Sequence, residues 1–200
     1  GKGLEAPAHD PRSGKALGVA YGTANRGMCH IHPLEGMAYD LGKIDWGLIK
    51  YGVPDPNTVD RWDEKGKGKI VKILQDALIL PDILNTCKFF MYGGIYIDHL
   101  AELLSAVTGW NIDGLELLKV GERVINLQRL FNMREGFRRD DDLLPERMKQ
   151  KPAFGFYENE DRCTIKDFEG MLDEYYKARG WDAKTGIPTK GKLLELELEE

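Results

Sequence analysis

The stretch IVKILQDALILPDILNTCK, residues 70–88, decides the fold class of this chain. Its first half places apolar side chains at the spacing of one helix face: Ile70, Ile73, Leu74, Ala77 and Leu78. Pro81 interrupts this pattern, and Asp82 follows as a residue that can cap a new helix. The stretch therefore predicts an amphipathic helix that is followed directly by the start of another.

The helical signal continues along the chain. Residues 100–107 carry a second apolar face, which should end at Gly109. Asp113 and Glu116 have the spacing of a capping pair, in which each side chain bonds the other residue's backbone N–H. We expect a long helix to begin at this pair and to stop at Gly136.

The C-terminal part has the same character. Thr164 can cap a further helix that Gly180 would end, and a last short helix should follow Pro188. Only Gly94-Ile95-Tyr96-Ile97 has the pattern of a strand. The predicted class is mainly α and multihelical, with residues 61–200 forming a helical domain.

Residues 1–60 differ from the remainder of the chain in their composition. They are rich in glycine and proline, and only residues 16–25 have the pattern of a short helix. Long segments without regular structure are uncommon in compact domains and usually line a functional site. We expect residues 1–60 to be loop-rich and to face such a site.

Composition excludes several classes of function. The 200 residues are 42 % hydrophobic and 30 % charged, as in soluble globular proteins. A net charge of −5 argues against nucleic-acid binding, which needs clustered lysine and arginine. No apolar run approaches the roughly eighteen residues of a membrane span, and no signal peptide is visible. We expect a cytoplasmic protein with neither nucleic acid nor membrane as a partner.

Three cysteines, Cys29, Cys87 and Cys163, are too few and too scattered for a disulfide framework. A four-iron cluster needs four thiolates, and the chain contains no C-x-x-C motif. Any cluster must therefore take ligands from protein outside this sequence.

Asp82 and Cys87 place a carboxylate five residues before a thiol. A free cysteine is most often a packed small hydrophobe, whereas its thiolate can also bind iron. Asp82 alone is most simply a helix cap. Lys88 is by default a solvated lysine, and its amide or ammonium can also bind an anion. The residue pattern leaves both interpretations open.

The stretch ANRGMCHIH, residues 24–32, contains the second group of candidates. An isolated histidine is usually structural, but a histidine pKa near neutral also suits proton transfer. His30 and His32 could be metal ligands, yet a third ligand is missing nearby, so zinc is not expected. Arg26 can pair with an acid or hold an anion.

These stretches in this order resemble the C-terminal part of the tungsten-containing aldehyde:ferredoxin oxidoreductases. The resemblance rests on HDPR at residues 9–12, on residues 24–30 and on DILNTCK at residues 82–88, with NMREGF at 132–137 as a weaker match. It extends from His9 to about Leu196 and covers the C-terminal third or so of a family member. It implies the multihelical fold of those C-terminal domains.

The resemblance also implies an activity. A complete family enzyme oxidises an aldehyde to a carboxylic acid at a tungsten (or molybdenum) held by two pterins, called tungstopterin. Electrons then pass through one 4Fe-4S cluster to ferredoxin. Both cofactors require protein outside this chain, so we expect the chain to be inactive alone. The implied partners are ferredoxin, the aldehyde substrate and the remainder of the enzyme; a homo-oligomer stays open.

By the same resemblance, Cys87 is the fourth ligand of the iron–sulfur cluster. His30 lies beside the metal, where it protonates or hydrogen-bonds the aldehyde oxygen. Four residues are implied to bind or face the pterin cofactor: Asn25, His32, Asp82 and Lys88. The HDPR and NMREGF stretches are interpreted as structural, and Cys29 and Cys163 receive no role.

Two positions depart from the family's motif, Asp-x-x-Gly-Leu-Cys. Asn85 replaces the glycine, and asparagine is the residue that next best tolerates a positive φ, so Asn85 is expected to keep the turn. Thr86 replaces the leucine. Two alternatives remain open: a relative that reduces an aromatic thioester of the benzoyl-CoA type, and a non-catalytic helical domain for binding or electron transfer.

Overall fold

A computed structural model describes residues 1–31 and 36–198, which fold into helices joined by turns. The α-helices of these residues are α1 Lys15–Thr23, α2 Gly36–Asp40, α3 Lys67–Leu78, α4 Leu80–Ile83, α5 Ile97–Thr108, α6 Gly114–Arg134, α7 Glu146–Lys149, α8 Phe168–Arg179 and α9 Lys190–Glu195. The predicted class, mainly α and multihelical, is confirmed. The sequence missed α2, which is only five residues long.

The strand predicted at residues 94–97 is wrong. The backbone N–H groups of Gly94 and Ile95 bond the carbonyls of Met91 and Phe90, so the segment closes on itself as a turn. The N–H of Tyr96 donates to Nδ1 of His99, and α5 begins directly afterwards. Local hydrogen bonds thus use the backbone groups that a sheet partner would need.

The ends of the helices depend on short polar side chains. Asp113 and Glu116 each accept from the other's backbone N–H at 2.9 Å, which confirms the predicted cap of α6. The prediction of Thr164 as the cap of α8 is wrong, because Asp167 accepts from the Gly170 N–H instead. The two candidates lie three residues apart, and helix propensity alone does not separate them.

Asp82 does not cap a new helix, contrary to the sequence prediction. The short helix α4 starts at Leu80, and Pro81 occupies its first turn, where a missing N–H costs nothing. Asp82 therefore lies inside α4, with its carboxylate available for other partners.

Helix α3 lies between two apolar cores. One core combines α3 with the segments around α4, α5 and the start of α6; its fully buried members include Trp46, Leu48, Ile70, Leu74, Leu78, Leu80, Ile97 and Leu117. The other lies between α1 and α8; its members include Leu17, Val19, Tyr21, Val71, Leu172, Tyr175 and Tyr176. Because α3 contributes to both cores, it sets the spacing of the helices around it.

A buried polar network joins α1, α3 and α8. Arg179 on α8 forms an ion pair with Asp76 and donates to Oε1 of Gln75 at 2.7 Å, both on α3. Nε2 of Gln75 donates in turn to Oγ1 of Thr23 at the end of α1, at 2.9 Å. This network fixes the end of α1, from which the segment with His30 departs.

A second buried network, centred on Asp142, also holds the end of α1 in place. The Asp142 carboxylate, which is fully buried, binds Nζ of Lys2 at 2.7 Å and Nη1 of Arg129 on α6 at 2.9 Å. Nζ of Lys2 also donates to the carbonyl of Gly22 on α1, at 2.5 Å. Within the part of the chain that the structure describes, no helix is long and apolar enough to cross a membrane.

Candidate functional site

The Cys87 loop, residues 84–90, leaves the short helix α4 and exposes its cysteine. Asn85 adopts a φ of 53°, which confirms the expectation that it keeps the turn of the motif. The N–H of Thr86 donates to the Pro81 carbonyl at 2.9 Å and closes the loop. Cys87 is a free cysteine and exposed, so the interpretation of a packed small hydrophobe is wrong for this thiol.

Two large apolar side chains that follow Cys87 in the sequence are exposed as well. Phe89 and Phe90, which follow in a single 3-10 turn, are 66 % and 55 % exposed. Asp82, five residues before the cysteine, is exposed as well. A carboxylate, a thiol and two aromatic rings thus open onto solvent from one short segment.

Lys88 joins this loop to the segment that carries His30. Its side chain is buried, and its Nζ donates to Oδ2 of Asp82 at 2.8 Å and to the carbonyl of Ile31, also at 2.8 Å. The default interpretation of a solvated lysine is therefore wrong. The two sequence motifs, more than fifty residues apart, meet at one ammonium group.

The His30 loop, residues 24–31, is held by α6. Nδ2 of Asn25 donates to the Ile125 carbonyl at 3.1 Å and to Oε1 of Gln128 at 3.3 Å. Nδ2 of Asn132 donates to the carbonyl of Asn25 at 2.5 Å. The NMREGF stretch thus contributes its first residue to holding this loop, which agrees with its interpretation as structural; the sequence did not reveal Asn25 as the partner.

Asn25 keeps one polar atom unused. Its Oδ1 is buried and has no hydrogen-bond partner among the described residues. Asn25 is also one of the residues that line a groove of about 570 Å³ between the His30 loop and α6, together with Leu127 and Phe131. An unsatisfied buried acceptor of this kind fits a donor that comes from outside the described residues.

His30 is half-buried, and its ring contacts the ring of His9. The ring centroids lie 4.6 Å apart, with the planes at 65°. Burial lowers the pKa of His30, and the neighbouring His9 lowers it further. The sequence interpreted His9 as part of a structural stretch, and no residue pattern would have paired it with His30.

The remaining candidates are placed as follows. His32 lies outside the described residues. Cys29 and Cys163 are buried free cysteines, and burial raises the pKa of the Cys163 thiol.

The side chains described above can contribute to ligand sites whose other donor atoms come from elsewhere. In residues 1–31 and 36–198, no three histidine, cysteine or carboxylate side chains come together in a group that could hold a metal ion. Among these residues, Cys87 offers one exposed thiol. This arrangement fits a cluster whose other thiolates come from elsewhere, and the unsatisfied Oδ1 of Asn25 fits a polar organic cofactor.

A family model and several curated relatives identify the same protein family. Residues 1–198 match the model of "Aldehyde ferredoxin oxidoreductase, domains 2 & 3". The tungsten-containing aldehyde ferredoxin oxidoreductases of Pyrococcus abyssi and Pyrococcus furiosus are 36 % identical over all 200 residues, and that of Thermococcus kodakarensis is 35 % identical. The chain spans 30 % of the length of each of these relatives.

A solved structure shares the fold. The active-site complex BamBC of benzoyl coenzyme A reductase with 1,5-dienoyl-CoA superposes with a TM-score of 0.64 and 23 % identity. The match covers 98 % of this chain and 31 % of that chain. At this level of identity the likeness shows the fold alone.

Proposed function

Because this chain belongs to the aldehyde ferredoxin oxidoreductase family, we propose that it forms the C-terminal part of an enzyme that oxidises an aldehyde to a carboxylic acid. The enzyme would carry a tungstopterin and one 4Fe-4S cluster, and ferredoxin would accept its electrons. Since the chain spans 30 % of its relatives, the remaining protein would complete both cofactor sites.

The contact made by Lys88 is the observation that carries this proposal. One buried ammonium holds Asp82 and the backbone of Ile31, so the segment that carries Cys87 and the segment that carries His30 are fixed relative to each other. Chemistry at one centre needs such pre-organisation, because its groups must already be in place when substrate binds. A fold kept only for packing has no need of an exposed thiol beside this contact.

Each candidate residue then has a defined task. Cys87 would bind the cluster through its thiolate, while Asp82, the Lys88 amide, Asn25 and His32 would hold the pterin through hydrogen bonds. When bound, the metal–pterin centre and the cluster supply oxygen transfer and electron transfer, which protein side chains cannot provide. His30, whose imidazole both donates and accepts hydrogen bonds, would orient the aldehyde oxygen and exchange a proton with it.

Replacement of the cluster ligand tests the proposal in the intact enzyme. We expect C87S to lower the iron content, to change the electron paramagnetic resonance signal of the reduced cluster and to abolish aldehyde oxidation, because serine is a poor iron ligand. The matched control is C163A, which removes a buried free cysteine and should leave the iron signal unchanged. Wild-type iron content and activity in C87S would contradict the proposal.

Two other functions share parts of this geometry. The fold shared with the benzoyl coenzyme A reductase complex makes reduction of an aromatic thioester the second enzymatic candidate. Parallel assays with simple aldehydes and with an aromatic coenzyme A thioester would separate the two activities. A non-catalytic helical partner domain would instead contain neither tungsten nor iron, which metal analysis of the native protein detects.

A further inference from the structure

His9 and His30 form a pair of imidazole rings that joins the start of the chain to the His30 loop. The edge of one ring meets the face of the other, with 4.6 Å between the ring centroids. Such edge-to-face contacts are a preferred arrangement of flat rings and fix their relative orientation. Of the two residues, only His30 has a task in the proposed function.

The backbone of His9 is held in place independently of His30. The hydroxyl of Tyr21 on α1 donates to the His9 carbonyl at 2.9 Å. The next residue, Asp10, caps the turn Pro11–Ser13 and forms an ion pair with Arg12 at 2.7 Å. These bonds fix the backbone of His9, so that its ring offers a fixed contact surface to the ring of His30.

Two charged groups of the adjoining segments have partners of their own. The Asp10 carboxylate is bound to Arg12, and the Lys88 ammonium near Ile31 is bound to Asp82. Among the described residues, His9 is the titratable side chain in ring contact with His30, and a positive charge on either ring disfavours one on the other. Burial of the His30 ring is the larger cause of its lowered pKa, and the charge of His9 lowers the pKa further.

We propose that His9 is a positioning residue, which holds the His30 ring in one orientation and keeps it neutral. The inference rests on the proposed function, in which His30 faces the aldehyde. Oxidation of an aldehyde by water gives a carboxylic acid, two electrons and two protons. In the proposed function the two electrons would pass to the iron–sulfur cluster. A neutral His30 accepts one of the protons at its free nitrogen, and the other proton passes to solvent.

The test measures the protonation of His30 itself, in the intact protein. Diethyl pyrocarbonate modifies neutral imidazoles, and peptide mass spectrometry reads the modification of each histidine as a function of pH. We expect H9A to shift the His30 midpoint to higher pH, because the substitution removes both the neighbouring charge and the shielding from water. H9F keeps a ring in place and should give a smaller shift in the same direction.

His99 supplies the matched control, because it lies on α5 and bonds the N–H of Tyr96. H99F should leave the His30 midpoint unchanged. An unchanged midpoint in both H9A and H9F would overturn the inference, and H9F alone decides the question if H9A fails to fold. Failure of the proposed function would appear separately, as a wild-type protein that contains no tungsten or iron and does not oxidise aldehydes, whatever the His30 midpoint shows.

Discussion

Lys88 is buried, although an isolated ammonium is costly to remove from water. Two oxygen partners, Oδ2 of Asp82 and the carbonyl of Ile31, offset this cost at 2.8 Å each. The Asp82 side chain is 43 % exposed, so solvent weakens the ion pair and leaves the carboxylate accessible. Lys88 thus joins the Cys87 loop to the His30 loop and leaves the Asp82 carboxylate accessible to solvent.

Substitution K88M should loosen the contact between the two loops. The Ile31 carbonyl loses its donor while a side chain of similar volume remains, so we expect a loss of about 1–2 kcal/mol in the free energy of unfolding. Urea denaturation would measure this loss. The control K50M removes the exposed pair with Asp98 and should cause no measurable change. Equal stability of K88M and wild type would show that the bridge contributes nothing.

At the scale of elements, other helices pack on α3. Its contacts with α8 and α6 bring backbone atoms close together. A methyl group on Gly68 would meet the Tyr175 N–H and the Met171 carbonyl of α8. A methyl group on Gly121 of α6 would meet the Asp76 carbonyl of α3. Both glycines are needed for close approach, because any side chain there would separate two helices.

Substitution G68A should therefore force α3 and α8 apart. We expect a loss of about 1–3 kcal/mol, the range for overpacked interiors, although alanine is otherwise the better helix former. The control G191A lies in the exposed helix α9, where the added methyl group has no neighbour within 4 Å. It should keep or slightly raise stability in thermal unfolding. A G68A protein as stable as G191A would refute the close-packing argument.

At the scale of the whole molecule, Glu122 on α6 ties three helices together. Its carboxylate binds Nζ of Lys72 on α3 at 2.9 Å and Nζ of Lys192 on α9 at 3.2 Å. Burial raises the pKa of Glu122, but the charges of Lys72, Arg179 and Lys192 outweigh burial and leave the pKa below its usual value. The folded state therefore favours the charged carboxylate.

This shift predicts a pH-dependent stability. A carboxyl group whose pKa is lower in the folded state stabilises the fold above its unfolded pKa, near 4.3, and loses that contribution as pH falls through the folded value. E122Q should be about 1–3 kcal/mol less stable than wild type at pH 7. The difference should shrink in acid. Denaturation at several pH values would measure it, with E158Q at an exposed site as control; a constant difference would contradict the prediction.

The extent of sequence prediction follows from the range of each interaction. The helix faces, the α6 cap at Asp113 and the turn at Asn85 were predictable, because each depends on residues a few positions apart. The roles of Cys87, Asp82 and the other site residues remain proposals. The errors at Thr164 and at residues 94–97 arose where several local hydrogen-bonding patterns compete.

By itself, the sequence determined a multihelical member of one enzyme family, with its helix faces, because side-chain periodicity and short motifs are local properties of the chain. Only the tertiary structure decided which distant residues meet. It placed the Lys88 ammonium on the Ile31 carbonyl, Asn132 on the backbone of Asn25, and His9 against His30. Contacts of this kind depend on how helices pack in space, and no local pattern of residues encodes them.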